Sequence, residues 1–156
     1  AEIHIYTDGS ALGNPGPGGY GIIIEWVGKG YIKEFSRGFK HTTNNRMELW
    51  AVIEALEKLK NKPMDVLVIS DSKYVIEAID KKWVFGWEKK NFKGKKNPDL
   101  WKRFLKIYPQ HNIQFQWVKG HNDHPQNERC DQLAVTAAKD MAIEHDAYYE
   151  QLSQKA

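Results

Sequence analysis

With 156 residues, 41% apolar and 28% charged, the chain suits one compact domain, too short for two ordinary domains and too apolar for a disordered segment. Its single cysteine, Cys130, excludes an internal disulfide, and no apolar run is long enough to span a bilayer, so a cytoplasmic protein with no membrane partner is expected. The net charge of +3 is unevenly spread: eight Lys and one Arg between Lys81 and Arg103, against Glu88 and Asp99, give +7 and leave −4 for the remainder. Such a basic lobe suits a polyanionic ligand, or more plainly a solvated helical face.

In chain order, Ile3, Ile5 and Thr7 alternate with His4, Tyr6 and Asp8, which predicts a strand. The glycine- and proline-rich stretch from Gly13 to Gly19 reads as a hairpin turn into a second strand, Tyr20 to Trp26, and Gly28-Lys29-Gly30 reverses the chain into a third, Tyr31 to Phe39. A helix from about Thr43 to Lys60 follows, with a core-facing stripe of Leu49, Ile53 and Leu56 and a cap from Thr42 or Thr43. Val66 to Ile69 is an unbroken apolar run, the mark of a strand buried on both faces and paired in parallel. A short helix from Ser72 to Ile79, a helix starting at Asn97-Pro98-Asp99, a strand from Asn112 to Val118 and a final helix from Asn127 to His145 complete an α/β order. The expected architecture is a mixed five-stranded sheet, three antiparallel strands then two parallel, flanked by helices. The domain spans residues 1–145, with a basic protrusion over about 81–97 and a C-terminal tail over 146–156.

Four acids occupy places that structural economy does not favour. Asp8 lies within a strand, Asp71 ends the most apolar strand, and Glu48 and Asp131 each lie one turn into a helix. Singly each has an ordinary explanation: a surface face for Asp8, a turn for Asp71, dipole complementarity for Glu48 and Asp131. Jointly, if the first and fourth strands are neighbours, the four converge, and such a cluster is unfavourable without cations. Oxygen donors of this kind suit Mg²⁺, and a pair of ions would clamp the attacking and leaving oxygens of a phosphoryl transfer.

The motifs Tyr6-Thr7-Asp8-Gly9-Ser10, Gly13 to Gly21, Thr42-Thr43-Asn44-Asn45-Arg46-Met47-Glu48-Leu49, Asp71-Ser72, Val118-Lys119-Gly120-His121 and Asn127-Glu128-Arg129-Cys130-Asp131 together resemble the bacterial type I ribonuclease H family, in order over roughly residues 1–140. The resemblance implies a ribonuclease H-like fold and an endonuclease that cuts the RNA strand of an RNA–DNA hybrid, leaving 5′-phosphate and 3′-hydroxyl ends. It implies two Mg²⁺ ions, with Mn²⁺ as an alternative, and a monomer. Asp8 then bridges both metals, Asp71 completes the site that activates water, and Glu48 and Asp131 hold the metal near the leaving oxygen, while His121 assists proton transfer or product departure.

For the substrate, the resemblance points to Gly9, Asn14, Asn44, Asn45 and Asn127, and to a DNA-phosphate pocket at Thr43 and Asn14. The bland reading of Thr43-Asn44-Asn45 is a helix cap alone. Trp83 and Trp87, with Lys89 and Lys90, belong to the basic protrusion and would form a wall for the DNA strand. Lys73 departs from the family pattern, which commonly has glutamine there, so a phosphate contact replaces a base contact; the protrusion is also a few residues short. A hybrid-binding module without catalysis, or an integrase or junction resolvase sharing the sheet, leaves the acids, His121 or the lysine–tryptophan lobe unexplained. His124 reads as a loop residue.

Overall fold

Ile3 and Ile5 turn to one face of the first strand and Tyr6 to the other, and the sheet is organised on that alternation in the computed structural model, which describes residues 1–120 and 124–155. Among these residues β1 (Ile3–Ala11), β2 (Gly16–Trp26), β3 (Tyr31–Thr42), β4 (Asp65–Ser70), β5 (Asn112–Trp117) and β6 (Ala142–Glu144) form a six-stranded sheet in the order β5-β4-β1-β2-β3-β6. The first three strands are the expected antiparallel meander, and β4 and β5 extend it in parallel from β1.

The sixth strand corrects the expected five. Residues Ala142–Glu144 pair in parallel with β3 at Gly38 and Phe39, and three residues are too few to display a period of two. The last long helix, α5 (Pro125–Asp140), therefore stops before His145, and a further helix, α6 (Ala147–Gln154), forms in the tail.

Helix α1 (Asn44–Glu57) covers the face that carries Ile3, Ile5, Ile22, Ile24, Val66 and Val68. Register sets Ile5 opposite both Ile24 and Val68, and Leu49, Ile53 and Leu56 of α1 are 0% exposed upon them. Each such aliphatic side chain contributes roughly 1.5–3 kcal/mol by leaving water. The same core takes in α2 (Lys73–Asp80) and α4 (Pro98–Ile107) through Val75, Trp101 and Phe104. Helix α5 lies on the opposite face, where Cys130 packs with Tyr6, Ile23 and Ile69. It comes that close because β2 has no side chain at Gly21, where an added Cβ would stand 2.5 Å from the Cys130 carbonyl oxygen.

The basic protrusion holds a short helix, α3 (Trp83–Lys89), in the stretch whose charge also suited a solvated helical face. Lys82, Asn91, Phe92 and Asn97 all have φ between 52° and 63°, a left-handed conformation that the two asparagines tolerate and that costs Lys82 and Phe92 about 1–2 kcal/mol each. Burial of Val84 and Phe92 against the Trp101 core holds the protrusion to this path.

Three remote segments meet on Arg46, which is 1% exposed. Its Nε and Nη2 donate to Asp146 at 2.6 and 2.9 Å, and its Nη1 and Nη2 to Asp99 at 2.9 and 2.7 Å. The Thr42 hydroxyl also donates to Asp146 at 2.7 Å, and Asn97 accepts from Arg46 at 3.2 Å. Asp146 in turn caps α6 by accepting the Tyr149 N–H at 3.4 Å. Removing one partner of a buried ion pair strands the other charge, at a cost of about 3–5 kcal/mol. Arg46→Ala is accordingly expected to lower the free energy of unfolding by about that amount in urea titration, and a loss below about 1 kcal/mol would contradict a buried, fully paired guanidinium.

Candidate active site

The parallel pairing of β1 and β4 ends at Thr7 opposite Ser70, so Asp8 and Asp71 follow one another side by side at the carboxyl ends of two central strands. Glu48 arrives from α1 because Gly9 lets the helix sit directly on the strand end; a Cβ there would lie 2.6 Å from the Met47 carbonyl carbon. Oxygens of Asp8, Glu48 and Asp71 lie within 4.8 Å of one another. Asp131, one turn and a half into α5, reaches the group from the other face and hydrogen-bonds to Asp8.

Bringing these groups together shifts their protonation. Burial, then the Asp71 carboxylate and the Asp131 hydrogen bond, push Asp8 up to about 9, against the opposing Gly9 N–H that donates to it at 2.9 Å. Burial also raises Glu48 to about 7, with the Ser72 hydroxyl opposing the shift and Asp71 adding to it. Crowding thus disfavours joint ionisation of these groups, and the donor set, three convergent carboxylates, suits a hard divalent cation.

The positions read from the sequence separate into a floor, a rim and outlying groups. Asn14, Thr43 and Asn44 form one unit at the start of α1: the Asn14 Oδ1 accepts the Asn44 N–H at 3.0 Å, the Thr43 hydroxyl accepts the Arg46 N–H at 3.2 Å, and the Asn44 Oδ1 accepts from Ala11 at 2.5 Å. Asn45 is exposed beside them, whereas Asn127 is buried in the first turn of α5. Lys89 and Lys90 are exposed at the end of α3. Trp83 is 46% exposed with the Lys81 ammonium over its ring, but Trp87 is half-buried, edge-on to Trp101 at 5.9 Å with the Lys95 ammonium above it. His121 lies outside the described residues. His124 precedes α5, its ring 5.8 Å from that of Tyr6.

Three further residues bear on the cluster. Ser72 caps α2 by accepting the Val75 N–H at 3.2 Å and also bonds to Glu48, so one hydroxyl ties a helix start to the site. The Trp117 indole donates to the Asp71 carbonyl at 3.1 Å, with Lys73 over its ring at 5.2 Å. Gly120 passes so near that a Cβ would stand 2.9 Å from the Asp71 Oδ2. The Ser after Asp71 was a signal in the sequence; the reach of Trp117 depends on β5 pairing with β4 and had none.

Carboxylates gathered at the central strand ends of a mixed sheet define a metal-dependent enzyme with the ribonuclease H-like fold. The RNase H family model matches residues 1–139, and the chain belongs to the RNase H family. It is 54% identical over 143 residues to a ribonuclease H of Desulforamulus reducens, covering 88% of each chain. Against a Shewanella ribonuclease H the identity is 53% over 153 residues, covering 95% of this chain and 94% of the relative. Among solved structures, LC9-RNase H1, a type 1 RNase H with the type 2 active-site motif, superposes with a TM-score of 0.79 at 33% identity, over 97% of this chain and 80% of that one. LC11-RNase H1, solved in complex with an RNA/DNA hybrid, gives 0.64 at 32% identity, over 87% and 96%.

The raised carboxyl groups make stability depend on pH with a definite sign. A folded-state value above the unfolded one favours the fold while the group is protonated, so this contribution is complete below the ordinary 3.8 of Asp8 and is lost as pH rises through about 9. Glu48 acts in the same sense, lost through about 7. In EDTA, Asp8→Asn is therefore expected to raise the thermal midpoint over wild type more at pH 9 than at pH 5. A difference that does not grow with pH would show that Asp8 is not strained by its neighbours.

Proposed function

We propose that this chain hydrolyses the RNA strand of an RNA–DNA hybrid endonucleolytically, leaving 5′-phosphate and 3′-hydroxyl ends, as a cytoplasmic monomer working with two Mg²⁺ ions, with Mn²⁺ as a substitute. The observation that carries it is the convergence of Asp8, Glu48 and Asp71 within 4.8 Å, joined by Asp131 through its bond to Asp8. Bound there, the ions supply an activated water and neutralise the leaving oxygen. Asp8, central in the group, would hold both ions, Asp71 would complete the water side, and Glu48 and Asp131 the leaving-group side. Ser72 bonds the Glu48 carboxylate, and Trp117 holds the main chain at Asp71 through its carbonyl, so both support the site from outside the cluster.

Substrate choice rests on the rim. Asn44, Asn45 and Gly9 stand beside Glu48, where amide groups can read the 2′-hydroxyls exposed in the wide minor groove of an RNA-containing duplex, with Asn127 supporting from α5. Thr43 and Asn14 cap the N-terminal turn of α1 by accepting the Arg46 and Asn44 N–H groups, and a DNA-strand phosphate would meet their polar side chains at the positive end of the helix. Lys89, Lys90 and Trp83 of the protrusion, with Trp87 behind them, then meet the DNA strand, and Lys73 meets a phosphate of the hybrid. His121 assists proton transfer or departure of the product. Residues 1–145 serve as the catalytic domain and 146–156 as an appended tail.

An RNA–DNA hybrid is expected to be cut in Mg²⁺ while single-stranded RNA and duplex DNA are spared, and Asp8→Asn should lower kcat on the order of a thousandfold or more. Wild-type rates in that variant would remove the metal assignment. Replacing Lys89 and Lys90 together by Ala should raise KM and reduce the slope of log KM against log salt by about 2, one for each lost phosphate contact. An unchanged slope would take the protrusion off the substrate path.

A further inference from the structure

Helix α6 presents an unusual surface for a chain terminus. None of its side chains is buried, yet it carries Tyr148, Tyr149 and Leu152 along one side, with Tyr148 38% and Leu152 52% exposed. Eight residues are too few for a helix to persist in water on propensity alone. It is held by the Asp146 cap on the buried Arg46, by the Arg46 guanidinium 5.1 Å over the Tyr148 ring, and by Tyr149 against His41 at 5.3 Å. An apolar side fixed in place by such contacts and left in water calls for an occupant.

That side lines a cleft of about 520 Å³. Thr43, Asn45 and Asn14 form its floor, so it is continuous with the phosphate cradle at the start of α1. Lys95 and Lys96 of the protrusion form the wall opposite α6, and both are exposed. The acids nearest the cleft are already engaged: Asp99 and Asp146 by Arg46, and Glu150 by His145 at 3.0 Å. One wall is therefore cationic, the other aromatic and aliphatic, and the floor is polar.

We infer that α6 is the second wall of a groove for the DNA strand of the hybrid, with Lys95 and Lys96 taking its phosphates and Tyr148 and Leu152 packing on its deoxyriboses. This rests on the hybrid-cleavage reading and adds a strand-selective subsite to it. The chemistry separates the two strands. A deoxyribose offers an apolar C2′ edge to Tyr148 and Leu152, whereas a ribose would bury its 2′-hydroxyl there without a partner, at a cost of one unsatisfied polar group. The occupant carries negative charge, as the lysines require, and the cleft shares Asn14 and Thr43 with the position already assigned to a DNA-strand phosphate.

The test uses the full chain with Mg²⁺ and a hybrid duplex. Leu152→Glu, at a half-exposed position away from the Arg46 clamp, puts a carboxylate against the phosphates, and Tyr148→Ala removes the ring. Each is expected to raise KM about five- to tenfold at moderate salt with kcat within about twofold, the loss of one stacking or packing contact. A scan of single ribonucleotides through the DNA strand should reveal, in wild type only, one position outside the cut site where ribose raises KM. Thermal melts separate misfolding from loss of contact, and Leu152→Glu is expected to keep the wild-type midpoint. If wild type cuts the hybrid and both variants keep its KM, the inference is overturned and the cleavage reading stands. It is likewise overturned if Leu152→Glu leaves KM unchanged but abolishes a concentration-dependent dimer, which would assign the wall to a second copy of the chain. If wild type does not cut the hybrid, both readings fail together.

Discussion

Carboxyl groups whose oxygens lie within 4.8 Å of one another repel, and a fold that gathers them must hold them by other means. Here the means is the pairing of β1 with β4. Five consecutive parallel pairs, from Ile3 with Val66 to Thr7 with Ser70, place Asp8 beside Asp71 with no freedom to separate. The apolar faces of those strands are sealed by α1 on one side and α5 on the other, so the register cannot slip without exposing Ile5, Val68, Tyr6 and Ile69 together. Burial of the core thus keeps like charges adjacent until a cation neutralises them.

The helices bring the other two acids by close approach rather than by long side chains. Gly9 lets the first turn of α1 settle on the end of β1, and Gly21 lets α5 settle on β2. Arg46, two residues before Glu48, then ties α1 to the start of α4 and to the cap of α6. One buried guanidinium therefore links the catalytic helix to the base of the basic protrusion and to the C-terminal helix, the two walls of the cleft beside Thr43. The geometry of the reacting groups and that of the substrate rim share this anchor.

Much of this architecture was legible in the residues. Alternation along residues 3–8, the apolar run at 66–69 and the Leu49, Ile53 and Leu56 stripe correspond to β1, β4 and α1, because each is long enough for its period to show. A signal failed where an element was too short to show a period: β6 has three residues. Trp83 and Trp87 share a helical face by spacing, yet one is exposed and the other is half-buried against Trp101, since exposure depends on what packs alongside and not on spacing.

By itself the sequence determined the kind of chemistry available: oxygen donors and no redox cysteine pair, a lysine-rich segment for a polyanion, and motifs whose order matches one family. Only the tertiary structure decided which groups touch. The side-chain oxygens of Asp8 and Asp71 meet across 63 residues through strand register, Trp117 reaches Asp71 through the β4–β5 pairing, and the tail returns to Arg46 across 100 residues to form a wall beside the protrusion. Those contacts are long-range, and local propensity carries no information about them. They are chosen by the burial of a two-faced sheet, a property of the whole chain.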